Sequence, residues 1–243
     1  MASGPAMALY ESPATPPTPE ESVGDRAVIL DPGHGGDDLG AVSGSWREKD
    51  IALAIARRVK QKLEALGHTP VKLTRDADVF VPLNKRIDES VEWDGLAFIS
   101  LHLNQVRSKK PQGITVYAFG RQTVRLPRRH RHSKVPPLPA PPKDEARASA
   151  DLARALVQSL RAQGFRVDPP AKAGFYVLKN PRLPSVLVEL GYLSNPQERA
   201  RLSDPAYQDR LAEAVAVSLR SYSLSSAATS TPQLASGKTG GGR

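Results

Sequence analysis

Three short apolar runs in this sequence each lead to a side chain able to ligate a metal or move a proton. Ala27-Val28-Ile29-Leu30 passes through Asp31-Pro32-Gly33 to His34, Leu96-Ala97-Phe98-Ile99-Ser100-Leu101 ends in His102, and Ser185-Val186-Leu187-Val188 ends in Glu189. Short apolar runs closed by proline, glycine or a polar residue read as buried strands. In an open parallel α/β sheet the carboxyl ends of the strands share one edge, and ligands bind in the crevice there. Parallel strands would therefore bring His34, His102 and Glu189 to one cleft.

Each residue also has a plainer reading. The glycines around His34 suit a tight turn or a phosphate cradle, but the third glycine of a GxGxxG count falls on Asp38 and no Gly-Lys-Ser/Thr follows. Ser45-Trp46-Arg47-Glu48 matches a capping box, in which the glutamate only closes a helix amino terminus. His102 alone could be a satisfied histidine at a strand end. Glu189 is the sharpest: an ionised, unpaired carboxylate inside Val-Leu-Val-Glu-Leu-Gly would cost several kcal/mol, so it must be protonated, hydrogen-bonded or turned to a polar site. His34, Glu48 and His102 together make two imidazoles and a carboxylate, the donor set of a catalytic zinc site with one position open. Their spacings of 14 and 54 residues form no local zinc motif. His68, His130 and His132 read as surface residues.

The elements that must position these groups alternate between the two periods. Ile51, Ile55, Val59 and Leu63 mark a helix from Glu48 to Leu66, and Thr69–Thr74 reads as a strand. Pro82 opens a shorter helix with Leu83, Ile87 and Val91 on one face. Gly113–Phe119 reads as a strand, Leu152, Leu156 and Leu160 as a helix ended by Gly164, and Phe175–Leu178 as another strand. Asp204 and Pro205 start a last helix that reaches Tyr222. The fold class is α/β: a single domain with a mostly parallel central sheet of about six strands, flanked by helices on both faces. The domain spans 25–223, with a disordered arm at 1–24, a disordered tail at 224–243, and a long glycine-rich connection from Pro32 to Arg47 that shapes the site.

Composition narrows the partners. The 243 residues carry a net charge of +9 and no cysteine, so disulfides, thiolate metal sites and a cysteine nucleophile are excluded, and an anionic partner is favoured. Much of the excess charge lies in a proline-rich insertion at 121–143, where Arg121, Arg125, Arg128, Arg129, Arg131 and Lys134 have no acid among them. This stretch is either a contact for an anionic polymer or a solvated loop. Its arginine run holds no aromatic residue to stack bases, which argues against nucleic acid. No apolar run is long enough to span a membrane, and the first 25 residues lack the apolar segment of a secretory signal.

Six ordered motifs carry a family resemblance: Asp31-Pro32-Gly33-His34-Gly35-Gly36, Glu48-Lys49-Asp50, Leu73-Thr74-Arg75-Asp76, Ser100-Leu101-His102-Leu103-Asn104, Phe175-Tyr176-Val177-Leu178, and Leu187-Val188-Glu189-Leu190-Gly191-Tyr192-Leu193-Ser194-Asn195. From Ala27 to Tyr222 the chain resembles the type 3 domain of zinc-dependent N-acetylmuramoyl-L-alanine amidases, which are bacterial cell-wall hydrolases. The resemblance implies a zinc ion on His34, Glu48 and His102, with Glu189 as catalytic acid and base. It also implies a peptidoglycan substrate, cut between the lactyl group of N-acetylmuramic acid and L-alanine, and an extracytoplasmic location. A zinc peptidase cutting within the stem peptide is the nearest alternative, and a non-enzymatic binder of anionic polymers a more distant one. Two departures stand out: Leu103 occupies a place that is smaller in relatives, and the arginine-glycine step before Phe175 is absent. The insertion is too rich in proline for the helix that plugs the site in some relatives. Asn104 reads either as a ligand-orienting or substrate-bonding group or as a local turn.

Overall fold

The structure, a computed structural model, describes residues 26–67, 70–122 and 135–230. The expected arm at 1–24, His68, His130 and His132, the basic residues from Arg125 to Lys134, and the tail from 231 onward lie outside the described residues. In chain order the elements are β1 (Val28–Pro32), β2 (Val42–Ser43), β3 (Trp46–Arg47), α1 (Glu48–Ala65), β4 (Val71–Leu73), α2 (Leu83–Glu92), β5 (Ala97–Asn104), β6 (Thr115–Phe119), α3 (Lys143–Ala162), β7 (Ala171–Ala173), β8 (Ser185–Tyr192), α4 (Pro196–Leu202) and α5 (Pro205–Ser230).

Every residue of β1 is buried, as an inner strand covered on both faces requires. The main sheet has the order β4-β1-β5-β8-β6-β7. β1 runs parallel to β4 and β5, and β8 runs parallel to β5. β6 is antiparallel to β8 and parallel to the edge strand β7. Helices α1 and α3 pack on one face with α5 laid across both, while α2 and a 3-10 turn at Tyr176–Lys179 cover the other.

This unequal cover decides where the polar residues emerge. Along β5, Ala97, Ile99, Leu101 and Leu103 enter the thick three-helix core and Phe98 enters the thin one. By the two-residue period of a strand, His102 and Asn104 fall on the thin face with Phe98. In β8, Val186, Val188 and Leu190 face the thick core and Leu187 the thin one, which places Glu189 on the same face as His102. The two are also register partners. Leu103 therefore points away from the site, and its bulk does not reshape the pocket.

Two other expectations need correction, and one element lies beyond them. Phe175–Leu178 is not a strand: the edge strand is Ala171–Ala173, and Gly174 breaks it before the chain tightens into a 3-10 turn closed by Leu178 N–H on Phe175 O at 3.2 Å. The last helix does not stop near Tyr222 but runs to Ser230, through part of the expected tail. Its serines and alanines tolerate helix, and no proline or glycine interrupts the chain between Pro205 and Pro232. The short helix α4 was also unforeseen, although Asn195-Pro196 announces it: the Asn195 side chain accepts from the N–H groups of Gln197 and Glu198, and Pro196 occupies the first turn.

Beneath the strand ends lies a buried polar knot. The Asp31 carboxylate accepts from Thr74 Oγ1 at 2.6 Å, Ser100 Oγ at 2.7 Å and Arg86 Nη1 at 2.6 Å. Burial works against this carboxylate, but the Arg86 guanidinium and the two hydroxyls outweigh it and hold its pKa below the ordinary range. Arg86 also donates to the carbonyls of Pro32, His34 and Val81, and Arg75 to those of Pro32, Gly33, Lys49 and Ala77.

Asp31→Asn strands a buried guanidinium, and breaking such a pair costs about 3–5 kcal/mol, a loss to be read by urea unfolding at pH 7. A carboxylate with a lowered folded pKa stabilises above its unfolded value of about 3.9, and this contribution drains away as pH falls toward the folded value. The gap between parent and variant should narrow below about pH 4. A gap that stayed constant through that range would mean that Asp31 contributes no charge.

Candidate metal centre and active site

β1 ends in a turn whose backbone is unusual. His34 has φ +60°, in the left-handed region that non-glycine residues enter only at some cost. Arg86 holds it there through a 2.8 Å hydrogen bond to the His34 carbonyl. The His34 Nδ1 atom lies 2.8 Å from Asp38 Oδ2, and Asp38 Oδ1 in turn accepts from Gly40 N–H at 3.1 Å.

Glu48 is the first residue of α1, capped by Arg47 without a side-chain bond, so the Ser45 capping box does not form. The Glu48 carboxylate reaches across to the sheet instead. Its Oε2 accepts from Ala41 N–H at 2.7 Å and its Oε1 from Leu103 N–H at 3.0 Å. Leu103 thus serves the site through its backbone alone. Oε1 lies 2.7 Å from His102 Nδ1, and Oε2 lies 3.1 Å from His34 Nε2. The two imidazoles meet edge to face, with centroids 4.9 Å apart.

One ligand atom from each of His34, Glu48 and His102 lies within 4.8 Å of the others. The buried His34 Nε2 has no partner in hydrogen-bonding geometry. With Nδ1 held by the Asp38 carboxylate and Nε2 turned to the cluster, 3.1 Å from Glu48 Oε2, the ring has the arrangement of a metal-binding histidine once its proton is lost. The donor set therefore fits a divalent ion.

Glu189 is 2% exposed, beside His102 on one flank and opposite Thr115 of β6 on the other. It is not one of the three clustered donors. Asn104 is buried two positions beyond His102, and its Oδ1 has no hydrogen-bond partner among the described residues, so of the two readings a local turn bond is not made by that oxygen.

Two glycines leave room for the donors. A Cβ on Gly33 would stand 2.3 Å from His102 Cε1, and one on Gly40 would stand 2.5 Å from His34 Cδ2 and 2.6 Å from Glu48 Oε2. The roles of Gly40, Asp38, Arg75 and Arg86 were not foreseen. Arg86 had a visible signal: it follows Leu83 by three and precedes Ile87, which puts a guanidinium on the buried stripe of α2.

Fold and cluster together describe an α/β domain with a metal-competent centre at the ends of its parallel strands. A family profile described as N-acetylmuramoyl-L-alanine amidase matches residues 28–221, and the chain belongs to that family. It is 31% identical over 230 residues to the amidase AmiA of Escherichia coli K12, covering 85% of this chain and 79% of the relative. It is 30% identical to AmiC of Escherichia coli O6:H1, again over 85% of this chain but only 55% of that relative's length. The crystal structure of an N-acetylmuramoyl-L-alanine amidase from Clostridium difficile 630 superposes with a TM-score of 0.69 at 26% identity, covering 82% of this chain and 97% of that one.

Two outcomes test the centre. Burial alone would depress the His34 pKa, but the carboxylates of Asp38 and Glu48 outweigh it and raise it to about 9 in the metal-free protein. Zinc binding at pH 7 must then expel about one proton, seen calorimetrically as a heat that varies with the buffer, and the apparent affinity should climb with pH up to about 9. An affinity independent of pH would remove His34 from the ligand set. Separately, Gly40→Ala should weaken zinc binding by roughly 10–100-fold while far-UV circular dichroism stays unchanged. Gly44→Ala is the control: its φ of +62° matches the +66° of Gly40, yet nothing lies within 4 Å of the added Cβ, so it carries the strain without the collision. Equal losses in both variants would point to strain rather than crowding.

Proposed function

We propose that this chain is a zinc-dependent hydrolase of peptidoglycan, cutting the amide between the lactyl group of N-acetylmuramic acid and L-alanine of the stem peptide. The observation that carries the reading is the convergence of His34, Glu48 and His102 on one point, with Glu189 in register beside it. Membership of the amidase family supports the choice of bond.

Two imidazoles and one carboxylate are donors suited to zinc, which leaves a coordination position for substrate or water. When bound, zinc supplies Lewis-acid chemistry: it polarises the scissile carbonyl and acidifies water to a pKa of about 7. Glu189 is the proton carrier. It takes a proton from the water that attacks the carbonyl carbon and delivers it to the amine nitrogen as the C–N bond breaks. No covalent intermediate is required. Asn104 offers a buried carboxamide oxygen to a substrate N–H on the same face.

The substrate places the reaction outside the cytoplasm. Among the described residues no helix is long and apolar enough to cross a membrane. The net charge of +9 supports contact between the 121–143 segment and an anionic wall polymer.

Glu189→Gln should keep about one zinc per chain by elemental analysis while losing roughly 100- to 10,000-fold in release of peptide from purified sacculi. Turnover at the parent rate would falsify the assignment of Glu189. Mass spectrometry of digested muropeptides separates the two hydrolases: the proposed reaction yields stem peptides with a free L-alanine amino terminus, whereas a peptidase leaves that alanine on the sugar.

A further inference from the structure

Among the described residues seven large apolar side chains are exposed. Five of them, Leu39, Val42, Trp46, Val79 and Phe80, lie on the two connections, from β1 to α1 and from β4 to α2, that build and fasten the metal cluster. Phe80 is the most exposed, at 58%. Its backbone is nonetheless rigidly placed. A Cβ on Gly36 would stand 2.8 Å from Phe80 N, and one on Gly35 would stand 2.1 Å from Val79 O, so this loop lies directly on the turn that carries His34. Asp78 pins the contact by accepting from Gly36 N–H at 2.9 Å and from the buried Lys49 Nζ at 2.6 Å, while Lys49 also donates to Gly36 O. Arg86 holds the far side of the loop through Val81 O.

An aromatic ring held in water by a fixed backbone adds nothing to folding, and such a side chain beside a functional centre marks a contact surface. The sheet order says which part of a substrate it meets. Across the rim the site runs from the loop after β4, which bears Phe80, through His34 after β1 and His102 in β5, to Glu189 in β8. Glu189 must reach the leaving nitrogen, so the peptide half lies toward β8. The acyl half then extends the opposite way, over β1 and toward the loop after β4. On that half the scissile carbonyl is joined through a lactyl group to a sugar ring, whose C–H face is apolar and packs well on an aromatic ring. We infer that Phe80, with Val79 beside it, is the platform for the sugar on the acyl side of the scissile amide. This inference rests on the amidase reading and adds a substrate orientation and a specificity-determining residue to it.

The test uses the full zinc-loaded chain and two readouts. The first is binding of the peptide-free disaccharide N-acetylglucosaminyl-N-acetylmuramic acid, the acyl product of the proposed reaction, followed by NMR titration. The second is cleavage of two substrates, a disaccharide-peptide and a lactyl-peptide without sugars. Phe80→Ala should weaken disaccharide binding about tenfold and raise KM for the disaccharide-peptide by a similar factor, with kcat within about twofold. The lactyl-peptide should be cut equally by parent and variant, and Phe80→Trp should restore the parent values. Unchanged disaccharide binding in Phe80→Ala, or equal losses on both substrates, overturns the inference while leaving the amidase reading intact. A parent that binds the disaccharide through Phe80 but cuts neither substrate overturns the amidase reading and leaves the sugar platform standing.

Discussion

The candidate site depends on one buried ion pair, Asp31 with Arg86. A strand that ends in a left-handed turn leaves carbonyls that neither a sheet nor a helix can satisfy, here those of Pro32, Gly33 and His34. Buried carbonyls need donors. A guanidinium offers five in a fixed fork, and Arg86 and Arg75 spend theirs on this turn and its neighbours. Asp31 makes the arrangement tolerable by neutralising Arg86, and it is itself steadied by hydroxyls from β4's end and from β5. Well-packed apolar residues in place of such a pair often stabilise a fold at least as well. They would leave the carbonyls bare and His34 unheld, so the pair is explained by the position it imposes rather than by its contribution to folding.

The same turn shows why glycine recurs where it does. Gly33 and Gly40 are smooth walls against which the ligand side chains lie, one under the His102 ring and the other against His34 and Glu48. Gly35 and Gly36 serve a different end, allowing the Val79–Phe80 backbone to close on the turn from outside. The cluster is thus boxed in by backbone on two sides. Its donors have few rotamers left to explore, which is the condition for a preorganised site.

Much of this was legible in the sequence because it follows from the two periods. Apolar strand runs announced His34, His102 and Glu189, although β5 continues past His102 to Asn104 and β8 past Glu189 to Tyr192, and the parallel arrangement that unites them follows from alternating strands and helices. The sidedness of β5 and β8 was equally available, since Leu101, Leu103, Val188 and Leu190 alternate with His102 and Glu189. What escaped was set by tertiary contact. Tyr176–Lys179 has the composition of a strand, yet β7 ends at Ala173 and the chain turns over the thin face, where Phe175 meets Tyr117 edge to face at 5.4 Å. Glu48 satisfied the local rule for a cap, and only the approach of β5, with its free Leu103 N–H, draws the carboxylate away. The serines and alanines after Tyr222 are neutral between helix and coil, so their composition alone could not place the end of α5.

A second buried carboxylate completes the symmetry of the rim. Glu198, early in α4, accepts from Gly113 N–H at 3.0 Å and from Tyr192 N–H at 2.9 Å, joining the chain as it enters β6 to the end of β8. Because β6 runs antiparallel to β8, it is the start of β6 that arrives beside Glu189, and a loose entry there would let Thr115 and Glu189 drift apart. Asp31 does for the β1 end of the rim what Glu198 does for the β8 end, each from beneath or beside the site and each through backbone groups or hydroxyls that would otherwise lack partners. Between the two clamps lie the cluster and Glu189, on the face covered only by α2 and a short turn. The thick three-helix face carries the larger apolar core, which leaves the thin face to hold the polar groups of the site.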